Sequence, residues 1–150
     1  MTLNDQRSQY LLGVREMDAQ HSDLIKLIDD LHAAMTGAAE KEIVFEIVKR
    51  VVAHTRHHFQ TEEALMSQSR FPERGNHHIE HVTLMKKTEQ LRRRIRAGNM
   101  AVALEIHDDL SKWIRHHILS ADQRLEDFLN ASLAAESKEG TGHPSAPGQG

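Results

Sequence analysis

Seven side chains in this sequence have the types and spacing to hold metal ions. His58 and Glu62 are four residues apart, as are His77 and His81. On an α-helix each such pair shares a face and aims two donors at one point. His21 stands alone upstream, and His117 precedes Asp122 by five residues. Twelve histidines among 150 residues is far above ordinary usage, and eleven lie between His21 and His117, so a terminal tag does not explain them. Imidazole and carboxylate donors without thiolate suit iron, manganese or zinc. Cysteine is absent, which removes disulfides, thiolate metal sites and thiol catalysis.

Donors this far apart in sequence need a frame that brings them together. Pro72 is the only proline before Pro144, and Leu, Ala, Glu, Lys and Arg run throughout, which favours helices. Four are expected. Helix A covers Asp18 to Thr36, with Asp18 as N-cap and Gly37 as stop. Helix B covers Glu40 to Ser69, with Pro72 in the following turn, and helix C covers Arg74 to Ala97, stopping at Gly98-Asn99. Helix D covers Met100 to Leu119, and a shorter helical piece spans Asp122 to Ala135. Links of a few residues make neighbouring helices antiparallel. The fold class is therefore all-α: an up-down-up-down antiparallel four-helix bundle with a short C-terminal helical extension. The bundle domain occupies 1–135, and the Gly- and Pro-rich segment 136–150 reads as a disordered tail.

Each helix has a core-facing stripe at alternating steps of three and four. In helix A it passes through His21, Leu24, Ile28, Leu31 and Met35. In helix B it takes Val44, Ile47, Val51, His54, His58, Glu62 and Leu65, and in helix C His77, His81, Leu84, Thr88, Leu91 and Ile95. In helix D it takes Ala103, Ile106, Leu110, Trp113 and His117. Polar residues occupy positions where the pattern demands apolar ones, and a buried carboxylate without a partner costs several kcal/mol. His21 starts helix A, His58 and Glu62 lie late in helix B, His77 and His81 start helix C, and His117 ends helix D. In an antiparallel bundle those regions share one end, so the polar core residues converge in a single layer. His117 and Asp122 do not share a face of a regular α-helix; a π-like turn or break near Ser120 is needed to turn Asp122 inward.

Composition narrows the function. Net charge is −3 with no basic block, which argues against nucleic acid. The stretch Met1 to Gly13 has no apolar core after basic residues, and no run is long enough to span a bilayer; a cytoplasmic location is expected by default. No nucleophile triad or phosphate-binding glycine loop is visible.

Five imidazoles and two carboxylates are too many for one ion, whereas two ions bridged by both carboxylates fit. Two octahedral ions offer about twelve positions. The five histidines, two bridging carboxylates and a bridging oxo or hydroxo fill about eleven, leaving room for a small diatomic ligand. The shell also carries less negative charge than the four-Glu, two-His sites of ferritin-like proteins, which favours reversible binding over high-valent oxidation.

The segments also resemble a known family. Asp18-Ala19-Gln20-His21 resembles the D-x-Q-H entry to the first hemerythrin helix, and His58-Phe59-Gln60-Thr61-Glu62-Glu63 resembles H-F-x-x-E-E. His77 to His81 matches H-x-x-x-H, and Trp113 to Asp122 resembles W-x-x-x-H-I-x-x-x-D. The resemblance covers about Leu12 to Asn130. It implies a bacterial-type hemerythrin with two iron ions (Fe2+/Fe3+) rather than zinc, and with dioxygen bound at one iron. It further implies that Leu24, Phe59, Trp113, Ile114 and Ile118 line a dry oxygen pocket, whose apolar walls exclude water and anions. Three positions depart from the family. No tryptophan precedes the first helix, where the chain reads Asn4-Asp5-Gln6-Arg7; Leu125 stands where a tyrosine is frequent; and His54 replaces an often aromatic residue.

Reversible dioxygen binding for storage, delivery or sensing is the leading expectation. The alternatives are a di-iron enzyme acting on peroxide or nitric oxide, and an iron store or sensor. His54 is either a hydrogen-bonded core residue or a proton donor or gate beside the metals. His32, His78, His107 and His116 are expected to be solvated and His57 to lie on the surface. Glu63 is expected to be an exposed neighbour, and the Arg92-Arg93-Arg94 run a solvated face.

Overall fold

The computed structural model describes residues 3–142, with side chains from 13 to 135. Five α-helices follow one another: α1 (Leu3–Thr36), α2 (Lys41–Ser69), α3 (Arg74–Arg96), α4 (Met100–His117) and α5 (Gln123–Gly142). A π-helical segment, Ile118–Asp122, joins α4 to α5 without a break. No strand occurs among the described residues. The chain forms the expected antiparallel bundle: α1 packs on α2, α2 on α3, α3 on α4, and α4 and α5 return to α1.

The turns are made by local chemistry. Arg70 closes α2 in the left-handed region at φ 56, and the Phe71 N–H donates back to the Met66 carbonyl at 3.0 Å. Gly98 adopts φ 80 after α3, a conformation that costs glycine little. Asn99 then caps α4, its side chain accepting from the Val102 N–H.

Two ends differ from expectation. Asp18 is not an N-cap, because α1 already runs from Leu3. The added turns bring Gly13 against Leu65 so closely that a Cβ would lie 2.5 Å from Leu65 Cδ2. At the other end α5 continues past Ala135 to Gly142, through the first part of the segment expected to be a disordered tail. The rest of that tail, 143–150, lies outside the described residues.

The buried stripe of α3 is the one expected, His77, His81, Leu84, Thr88, Leu91 and Ile95. Those of α2 and α4 are shifted by one residue in places. Val48 and Thr55 are buried in α2 where Ile47 and His54 were expected, and both of the latter are half-buried. In α4 the buried positions are Ala103, His107, Leu110, Ile114 and His117. Trp113 is 48% exposed, so it is neither core nor a wall of a dry pocket. One residue is about 100° of helical turn, and Ile114 takes the inward position instead.

Two apolar clusters result. The larger contains Leu24, Ile28, Phe59, Leu84, Leu110 and Ile114, with Ile118 packed against it. The smaller joins Met17 of α1, Leu65 and Met66 of α2, Phe71, and Leu125, Leu129 and Leu133 of α5. Leu125, the residue in place of a frequent tyrosine, is fully buried there. The α1 extension and α5 thus build the second cluster.

Candidate metal centre

All seven residues singled out by spacing come together. The first turns of α3 bring His77 and His81, α1 brings His21, and the second half of α2 brings His58 and Glu62. His117 ends α4, and the π segment supplies Asp122. A π turn bonds i to i+5, and it stands at the irregularity that five-residue spacing demands. Glu62 and Asp122 are fully buried, as are His58, His77, His81 and His117 to within a few per cent.

The carboxylates divide their oxygens between two groups of imidazoles. Glu62 Oε1 lies 3.2 Å from His77 Nε2 and 2.7 Å from His81 Nε2. Its other oxygen, Oε2, lies 3.0 Å from His58 Nε2 and 3.4 Å from His21 Nε2. Asp122 does the same: Oδ1 is 3.0 Å from both His77 and His117 Nε2, while Oδ2 is 2.8 Å from His21 Nε2 and 3.7 Å from His58 Nε2. Two donor sets follow, His77-His81-His117 and His21-His58, each with both carboxylates and with donor atoms within 4.8 Å of one another.

The rings are oriented from behind. The His58 Nδ1–H donates to Gln20 Oε1 at 2.8 Å, and the His117 Nδ1–H to Glu80 Oε1 at 2.9 Å. Gln20 is itself held, its amide donating to Glu16 and to Thr61 Oγ1. Donation through Nδ1 leaves the Nε2 lone pair free to bind a cation. Glu63 sits 3.5 Å from His81 Nδ1 and pairs closely with His78. Gln20, Glu80 and Glu63 were not expected to act on the site. For Gln20 the available signal was a polar residue beside His21; for Glu80, its place one turn after His77.

The electrostatics are those of a cluster that holds positive charge. Burial alone would depress the imidazoles, but the Asp122 and Glu62 carboxylates close beside them overcome it and raise His21 and His77 to about 9 and His117 to about 10. His58 is raised for the same reasons. His81 is lowered, because burial, with His77 and His117 beside it, outweighs Glu62. Burial and mutual repulsion push the Asp122 carboxyl up, yet the surrounding imidazoles hold it below the usual carboxylate range. Glu62 is held well below that range in the same way, against its own burial.

The donor set fits metal ions. His58 Nε2, His117 Nε2 and Asp122 Oδ1 are buried and approach their neighbours at ion-pair distance, yet none has an aligned hydrogen bond. Such orphaned atoms cost about 1–3 kcal/mol each unless something else satisfies them. Nε2 lone pairs and carboxylate oxygens converging on two points are satisfied by two cations.

The chain matches the family model described as the hemerythrin HHE cation binding domain over residues 12–129. It belongs to the hemerythrin family. It is 31% identical over 128 residues to a bacteriohemerythrin of Stenotrophomonas maltophilia, covering 85% of this chain and 82% of that protein. A bacteriohemerythrin of Pseudomonas aeruginosa is 29% identical over 122 residues, 81% of this chain and 78% of its own. One of Ralstonia nicotianae is 29% identical over 118 residues, 79% of this chain and 82% of its own. No solved structure gives a significant match. Membership in this family agrees with iron as the metal of the cluster.

The remaining residues expected at the site fall differently. In this hemerythrin-family bundle Leu24, Phe59 and Ile114 are buried and Ile118 packs against them. Phe59 stacks on the His81 ring at 4.1 Å and meets His117 edge-on at 5.9 Å. Trp113 instead lines a surface groove with Ile79, Thr83 and Lys87. His54 belongs to neither donor set; it is half-buried, with Nε2 covered and without a hydrogen-bond partner among the described residues. A third group, Asp18, His21 and Glu126, reaches His21 from the exposed side. Burial, with Asp18 beside it, pushes the Glu126 carboxyl up to about 8. Among the described residues, no helix is long and apolar enough to cross a membrane.

Proposed function

We propose that the chain binds dioxygen reversibly at a pair of iron ions held by His21, His58, Glu62, His77, His81, His117 and Asp122. The observation that carries this reading is the split of each carboxylate between three imidazoles on one side and two on the other. With both acids shared, the two-histidine side is one protein donor short of its partner. That shortfall leaves room for a small ligand there and little room for a larger substrate.

When bound, an iron pair supplies the electrons that dioxygen draws on binding and returns on release. The protein's part is to position and to exclude. Gln20 and Glu80 fix the ring planes of His58 and His117. Leu24, Phe59, Ile114 and Ile118 are proposed as the apolar wall that keeps water and anions from the ligand. An open pocket lined by His21, Ile25, Ile118 and Leu119 borders the two-histidine side, and it is the proposed way in.

Anaerobic reconstitution with ferrous iron tests the proposal. Expected are two irons per chain and a visible charge-transfer band that rises in air and vanishes under vacuum over repeated cycles. A band that forms once and decays irreversibly, with peroxide or nitric oxide consumed in turnover, would assign the centre to an enzyme instead.

A further inference from the structure

Of the seven residues proposed to hold the iron pair, only one reaches solvent. The His21 side chain is 12% exposed, whereas the other six are 4% exposed or less. The bundle axis is filled on both sides of the centre. Leu24, Leu84 and Ile114 of the larger core close one side, and Met17 and Leu125, both fully buried, close the other. The open way for an ion that fills the centre is past His21.

Two carboxylates stand outside that imidazole. Asp18 precedes His21 by three residues on α1, and Glu126 follows Asp122 by four on α5. α1 and α5 pack together and run antiparallel, so both acids lie about 5 Å beyond the centre in the same direction along the bundle. One donor atom from each of Asp18, His21 and Glu126 lies within 4.8 Å of the others, the same limit that encloses the two inner donor sets. Asp18 is exposed and Glu126 half-buried. Glu126 Oε1 is covered and has no hydrogen-bond partner among the described residues. Burial and Asp18 keep a proton on this acid in the metal-free chain, and an arriving cation displaces it.

We infer that Asp18 and Glu126 form an entry site for Fe2+ that passes ions through His21 to the two-histidine side of the centre. The inference rests on the ligand set proposed above. Carboxylate oxygens and an imidazole suit a divalent iron ion. Asp18 meets the hydrated ion at the surface, Glu126 strips it further, and His21 belongs to both the outer group and the inner set. The cation and the neutral ligand then have separate doors. The open pocket with Ile25, Ile118 and Leu119 lies on the other side of His21 along α1, and Arg115 in its wall repels a cation.

The experiment follows anaerobic uptake of Fe2+ by the full chain, quenched at intervals with a ferrous chelator. Asp18→Asn/Glu126→Gln should fill at least about tenfold more slowly than the parent, because an acid-lined mouth raises the local cation concentration. It should still reach two irons per chain, which also reports an intact bundle. The parent rate should fall as salt is added, and the variant rate should respond less. Asp23 and Asp127 are exposed acids nearby that belong to no donor set, so Asp23→Asn/Asp127→Asn should load as the parent does. Parent-like loading in the Asp18/Glu126 variant overturns the entry site. So does equal slowing in the control variant, which would make the effect one of overall charge. A final content below two irons in the Asp18/Glu126 variant alone also overturns it, by placing these acids among the holding ligands. A parent chain that never takes up two irons overturns the ligand set itself, and the entry site with it.

Discussion

His117 Nε2 and Asp122 Oδ1 meet at 3.0 Å although five residues separate them in sequence. On a regular α-helix they would stand about 140° apart around the axis. The π segment Ile118–Asp122 absorbs the extra residue and turns Asp122 inward, fully buried. Inserting an alanine after Ser120 should carry Asp122 about 100° further around the axis and swing it off the shared points. The helical circular dichroism should persist while iron binding falls to one ion per chain or fewer. Retention of two irons would show that the π turn is not what delivers the second carboxylate.

Both carboxylates serve both donor sets, so neither ion should survive the loss of one acid. Glu62→Ala should abolish binding of both ions together, whereas His58→Ala should weaken the two-histidine side first. Metal analysis against iron concentration separates these outcomes. In the metal-free protein Asp122→Asn should cost about 3–5 kcal/mol, because it leaves raised, buried imidazoles without their counter-charge. Urea unfolding of the metal-free chain measures this.

The metal-free protein should be most stable in mildly acidic solution, between the ordinary carboxylate and histidine values. His21, His77 and His117 are raised to about 9, 9 and 10, so their contribution is complete below the ordinary histidine value and disappears as pH rises through 9 to 10. Asp122 and Glu62 are lowered, so theirs is complete above the ordinary carboxylate value and disappears as pH falls through their depressed values. Metal binding needs the imidazoles neutral, so uptake near pH 7.5 should release protons and should tighten as pH rises toward 9. Calorimetry in buffers of different ionisation enthalpy counts the protons, and a count of zero would contradict the charge state described here.

How much of this was legible depended on whether polarity and pattern agreed. The α3 stripe was read correctly from His77 to Ile95 because each step of three or four landed on one clear choice. An irregularity was legible because His117 and Asp122 could meet only through a π-like turn or a break near Ser120, and the structure has the π turn. In α4 the steps offered two choices, Ile106 or His107 and Trp113 or Ile114, and the larger apolar residue was not always the buried one. His107 is tolerated inside because its Nε2–H finds the Ile28 carbonyl, a partner 79 residues away that no local pattern reveals. The roles of Gln20 and Glu80 were hidden for the same reason, since each depends on a ring presented by another helix.

The reversal of Trp113 and Ile114 yields the sharpest test of the packing. Ile114 is 2% exposed and belongs to the larger core, whereas Trp113 is 48% exposed. Ile114→Ala should cost about 2–5 kcal/mol through lost burial and the cavity left behind. It should also speed irreversible oxidation of the iron-loaded protein, because the space admits water beside Phe59 and His117. Trp113→Ala, despite removing the larger side chain, should change stability by about 1 kcal/mol or less and leave oxidation kinetics unaltered. Thermal melts give the first comparison, and decay of the visible band in air gives the second. An equal loss in both variants would mean that Trp113 covers the centre after all, and that position 113 rather than 114 faces inward.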